Sequence, residues 1–149
     1  MVTSSSTVPA ASARSPRSGR DRIAGIMLWL AAVGAAGAAL TAFSTAWGAD
    51  GGTKVVETWR AYGLVVFAGL FVLLALAPRS YRGVWELVIF HKVALTVTAL
   101  FYAAHGGIAD TATIIGWDGT VSVLLVGAYV LTRAWTPSPA WRRTGRQLG

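Results

Sequence analysis

The chain has no cysteine, which removes disulfide staples, iron–sulfur ligation, zinc–thiolate sites and a cysteine nucleophile. Charge is the next scarcity. Asp, Glu, Lys and Arg make up 13% of its 149 residues, against roughly 25% in a soluble globular domain. Sequence signatures of hydrolysis are missing as well. No G-x-x-x-x-G-K-[ST] loop marks nucleotide hydrolysis, and no G-x-S-x-G elbow presents a serine nucleophile. Glu86 and His91 lie about 140° apart around a helix, whereas a carboxylate-metal helix of the E-x-x-H kind needs the two residues on one face.

What the chain has instead is apolar length. Hydrophobic residues make up 54% of it and fall into four blocks, at 23–47, 58–77, 84–104 and 113–132. A helix crosses ~30 Å of hydrocarbon with about 20 residues. The fold class expected is therefore all-α, an integral membrane protein of four spans. The first block carries no ionisable residue at all. It is too long for the apolar region of a cleavable signal, about 7–15 residues, so it is expected to be retained as a helix. The third span must include Glu86, His91 and Lys92, because 93–104 alone is too short to cross.

Residues 1–22 read as a disordered basic tail: eight of the first eighteen are Ser or Thr, Pro9 and Pro16 interrupt any helix, and little is apolar. Residues 133–149 form a second basic tail. With four crossings, both tails and the 78–83 connection share a side. That side holds Arg14, Arg17, Arg20, Arg22, Arg79, Arg82, Arg133, Arg142, Arg143 and Arg146, while the other holds Lys54 and Arg60. The positive-inside rule then places both termini in the cytoplasm. Arg133, Trp135, Trp141 and the last arginines adjoin a span, so the C-tail suits anionic lipid headgroups, at about 1 kcal/mol per basic residue near the surface, and not nucleic acid.

Short connections make an up-down-up-down four-helix bundle the expected order. Helices in lipid associate through close packing rather than apolar burial. Gly34, Ala35, Gly37, Ala38 and Ala42 offer a nearly side-chain-free surface on the first span for that purpose, toward another helix of this chain or a second copy.

Polar groups inside spans are functional candidates by default. Glu86 is expected about 3 Å inside the third span, at headgroup level beside Arg79 or Arg82. Lys92 lies about 12 Å deep, with a stem able to snorkel back toward Glu86. His91, Thr98, Tyr102 and His105 fall within about 60° of one another, one polar stripe expected to face protein or a cavity. Two chemistries fit this set. A proton-coupled transporter would use Glu86, Lys92 and His91. A redox protein binding haem b, or working with a quinone, would use His91 and His105, whose spacing of about 21 Å along one face resembles that of diheme membrane cytochromes b. Both histidines belong to one span, so bis-histidine ligation would need a second copy. On the outer side, His105, Asp110 and Asp118 are close enough in sequence to approach one another, with Trp117 anchoring the interface.

In size, in four closely spaced spans and in arginine- and tryptophan-rich ends, residues 23–135 resemble the small bacterial four-span membrane proteins, including the DoxX-like group. The stretch from Arg82 to Lys92 is the most distinctive, and no residue role transfers with the likeness. The small four-helix multidrug transporters are similar in size but place an essential glutamate in the first span, where this chain has no ionisable group. The resemblance is one of architecture, and the function expected first is that of a multi-pass protein of the bacterial cytoplasmic membrane, non-enzymatic, structural or accessory, either self-associated or part of a larger complex.

Overall fold

The computed structural model describes residues 18–106 and 108–136. Most of the N-terminal tail and nearly all of the C-terminal one, including Trp141, Arg142, Arg143 and Arg146, lie outside the described residues. Within them the helices are α1 (Gly19–Gly48), α2 (Lys54–Leu76), α3 (Arg82–His105) and α4 (Thr111–Thr132). All four are long and apolar enough to cross a membrane. At 1.5 Å per residue α1 measures about 45 Å and α4 about 33 Å.

Each helix begins a little before its apolar block, and local chemistry explains why. Ser18 Oγ accepts from the Asp21 N–H at 3.3 Å, an N-cap with an acidic residue in the first turn, where the helix dipole favours it. Arg20, Asp21 and Arg22 therefore belong to α1 rather than to the tail. Asp50 organises the next connection: its Oδ1 accepts from the Gly52 and Thr53 N–H groups, both at 2.9 Å, and from Thr53 Oγ1 at 3.0 Å. Pro78 follows the end of α2 closely. Gly106, at φ +79°, ends α3 and donates its N–H to the Tyr102 carbonyl, so His105 is the last residue of that helix.

Three five-residue connections join the helices. Such a segment spans at most about 18 Å, well short of a helix length, so packed consecutive helices run antiparallel. α1 packs extensively on α2 and also on α4, and α3 packs on α4, but the α2 and α3 backbones come close at few places. The order around the bundle is thus α2, α1, α4, α3, with an open seam between the last and the first.

The seam has a cause in residue size. Large buried side chains gather at the end that holds the 77–81 connection: Leu28, Phe71, Leu74, Trp85 and Leu125. Trp85 Nε1 donates to the Pro78 carbonyl at 2.7 Å, fixing α3 to its own lead-in. Arg79 joins the same end, through Nε to the Thr132 carbonyl at 3.1 Å and through Nη2 to Asp21 at 2.7 Å. Toward the other end the buried residues of α1 shrink to Ala35, Ala39, Ala42 and Ala46, and α3 buries only Ala99 beyond Lys92.

The small-residue surface of α1 divides by angle. Ala35 and Ala42 are buried, Ala38 is half-buried, and Gly34 lies under Trp117, whose Cη2 is 2.5 Å from where a Cβ would stand. Gly37 is exposed, with nothing within 4 Å of a Cβ; it lies about 160° around the helix from Ala35. Trp117 therefore covers a glycine of α1 instead of serving only as an anchor at a helix end. Outward, Leu30, Val33, Leu40, Leu87, Phe90 and Val123 are each at least 62% exposed. An apolar surface this continuous is rare on a monomer in water and ordinary in lipid.

Candidate functional site

Trp85, Val88, Lys92 and Ala99 form the buried face of α3, with steps of three, four and seven that keep them on one side of the helix. Lys92 thus occupies a position where packing turns it inward, and it is 4% exposed. Asp118 holds the matching place on α4, in line with Ser122 and Leu125, and is 7% exposed. Along the axis, Lys92 stands about 15 Å from the start of α3 and Asp118 about 21 Å from the end of α4. Because the helices are antiparallel, these heights differ by about 6 Å, which the lysine stem bridges. The result is an ion pair with Nζ 2.5 Å from Oδ1.

This pairing corrects the expectation for Lys92. The ammonium turns toward Asp118, away from Glu86, because a charge drawn into a low-dielectric interior needs a partner drawn in with it. Glu86 is exposed and has no ion pair among the described residues. Its expected partner Arg79 is taken by Asp21 and Thr132. The outer-side group of His105, Asp110 and Asp118 is dissolved by the same pair: Asp118 is committed to Lys92, two turns inside α4. No cluster of three or more His, Cys, Asp or Glu residues suited to a metal occurs among the described residues.

Around the pair lies a cleft of about 330 Å³. Arg60, Gly63, Leu64 and Phe67 of α2 form one wall, with His91, Lys92 and Leu95 of α3 opposite, and Ile114 and Asp118 of α4 behind. It occupies the upper part of the sparse α2–α3 seam. Lys92 Nζ lies 4.6 Å from the centroid of the Phe67 ring, within cation–π range, and the same ring rests 4.5 Å from that of His91. Arg60 stands at the rim, paired with Glu57 at 2.5 Å.

The polar stripe of α3 is divided in the single chain. His91 lines the cleft, but Thr98, Tyr102 and His105 lie on the exposed flank of the helix, rotated away from the Lys92 face. His105 Nδ1 is 2.8 Å from the Phe101 carbonyl. Both histidines are carried by α3, and the sequence contains no other, so a bis-histidine haem site would need a second copy of the chain.

Residue spacing alone missed three participants: Asp118 as the partner of Lys92, Arg60 at the rim and Phe67 beneath the ammonium. A signal for the first was available, since Lys92 and Asp118 are opposite charges within the third and fourth spans at compatible heights. No family model, curated protein or solved structure matches the chain.

Proposed function

We propose that the chain is a small non-enzymatic component of the bacterial cytoplasmic membrane, of the DoxX-like architectural type, with both termini cytoplasmic and a structural or accessory role. The observation that carries this reading is the Lys92–Asp118 pair. The two most deeply buried charges among the described residues neutralise one another and lock the rotation of α3 against α4, the work of a scaffold that presents its apolar exterior to lipid and to neighbouring proteins. The orientation is supported by Arg20, Arg22, Arg79, Arg82 and Arg133, which gather at the tightly packed end, while Lys54 and Arg60 lie toward the other.

A second reading, a proton-coupled carrier, is favoured by one feature: the pair also lines a cleft. In that version Asp118 takes the place assigned to Glu86, with Lys92 and His91 retained.

Because the native chain has no cysteine, Gly51→Cys and Ser80→Cys provide clean reporters of sidedness. In intact cells an impermeant maleimide is expected to label the first and spare the second; the reverse result overturns the orientation. The Lys92→Met/Asp118→Leu double variant separates the two roles. An accessory scaffold keeps its co-purifying partners when the pair is replaced by apolar side chains, and a carrier loses flux in proteoliposomes.

A further inference from the structure

We infer that the α2–α3 cleft binds a carboxylic acid dissolved in the membrane, an amphiphile of the fatty-acid kind, which enters as the neutral acid and passes its proton to Asp118. The inference rests on the reading of the helices as membrane-embedded and adds a ligand to it.

Three observations converge. The first is shape. The cleft volume of about 330 Å³ falls in the ~300–1,000 Å³ range of small-molecule sites, which are apolar with a few convergent polar groups. Here Gly63, Leu64, Phe67, Leu95 and Ile114 supply the apolar surface. The second is access, since the α2 and α3 backbones approach one another at few places and are bridged there by the Phe67 side chain on His91 and Lys92, leaving the rest of the cleft along a seam that the membrane-embedded reading turns toward hydrocarbon. The third is unused hydrogen-bonding capacity. An ammonium has three N–H donors, yet Lys92 Nζ gives a hydrogen bond only to Asp118 among the described residues. Asp118 is engaged there only through Oδ1.

Charge balance selects the ligand class. The pair is neutral as it stands, and a bare anion would leave a net charge in a poorly solvated cleft. A carboxylic acid avoids this. Its O–H bond breaks and an O–H bond forms on the Asp118 carboxylate. The ligand carboxylate then takes the Lys92 ammonium, and protonated Asp118 keeps a donor to offer. One proton moves, no electrons are transferred, and the site remains neutral. The charged groups facing Asp118 are Lys92 and His91 from α3, and from α2 Arg60 with its partner Glu57. Residues 23–47 of α1 contribute none. The apolar tail lies along Phe67 and Leu64 and leaves through the seam, which distinguishes a lipid-phase acid from a small water-borne one.

The test is calorimetric titration of the full-length protein in nanodiscs with decanoate, with empty discs subtracted. From about pH 6 to about pH 8 the apparent Kd for the anion is expected to rise about tenfold per pH unit as one proton is taken up on binding. Acetate and methyl decanoate are expected not to bind. Asp118→Asn should abolish the pH slope. Should that variant fail to fold, Gly63→Leu serves independently: Gly63 lines the cleft and a Cβ there meets nothing within 4 Å, so a larger side chain has room to enter the space the ligand would take. It should weaken decanoate binding at least about tenfold with unfolding temperature unchanged. A pH-independent wild-type affinity, acetate binding as tightly as decanoate, or full binding by Gly63→Leu overturns the proposal. A chain that passes the maleimide test but binds no decanoate loses this inference alone, whereas failure to insert removes the reading beneath it.

Discussion

Lys92 stands on α3 where a leucine would satisfy the packing, and Asp118 is what makes a lysine tolerable there. Removing one partner strands the other, which in buried pairs costs about 3–5 kcal/mol, whereas replacing both with apolar groups of similar volume is close to neutral. Lys92→Met and Asp118→Leu should therefore each lower stability markedly in detergent unfolding, and the double variant should regain most of the loss. If the two losses simply add, the pair is not coupled. Two glycines of α1 make a similar contrast. Gly34→Ala places a methyl 2.5 Å from Trp117 Cη2 and should cost about 1–3 kcal/mol as overpacking. Gly37→Ala meets open space and should gain up to about 1 kcal/mol in helix propensity. The same unfolding assay reads both signs. Before the structure, nothing separated these glycines, because small-residue spacing says that a face can pack but not which part of it does. The depth of Lys92 was legible for a similar reason that its partner was not. Depth follows from counting along one helix, whereas partner choice depends on how Trp85 and Val88 rotate α3 against α4.

At the scale of elements, apolar runs located all four helices, and Pro78 and Gly106 lie just beyond the ends of α2 and α3. The missing turns at the N-termini came from polar residues that a hydropathy count discards. Asp50 is the instructive one. The backbone N–H and hydroxyl of Thr53 and the backbone N–H of Gly52 all favour its charged form, in that order apart from a small opposing effect of burial, and hold its carboxyl below the ordinary value of 3.8. A depressed folded value fixes the sign of the pH effect. The contribution of the turn is fully present above 3.8 and fades as pH falls through the lower folded value. In a proton NMR titration the Thr53 and Gly52 amides should report a midpoint below that of a model aspartate. Asp50→Ala should speed amide exchange at both residues and leave the middle of α2 unchanged. A midpoint at or above the ordinary value would mean that the turn does not form in solution.

Over the whole molecule the bundle is asymmetric, and the asymmetry makes a cleft out of four unremarkable helices. One end is tied by aromatic and aliphatic bulk and by Arg79, which bridges the first turn of α1 and the last carbonyl of α4. The Arg79–Asp21 pair itself is partly exposed, with side-chain exposures of 42% and 16%, so its contribution is positional more than energetic. At the other end α1 brings alanines and α3 brings little, so α2 and α3 drift apart above the pair. Cysteine cross-linking in the membrane tests this shape directly. Met27 Cε lies 2.9 Å from where a Gly127 Cβ would stand, so α1 and α4 approach within one methionine side chain there, and a Met27→Cys/Gly127→Cys pair should oxidise with a membrane-permeant copper catalyst faster than a pair across the seam. Leu64→Cys/Leu95→Cys, which place one thiol on α2 and one on α3 at the lining of the cleft, should oxidise slowly and speed up only if the seam closes. Equal rates would mean that the α2 and α3 backbones close on one another in the bilayer, and a cleft defined by their separation would have no room to hold anything.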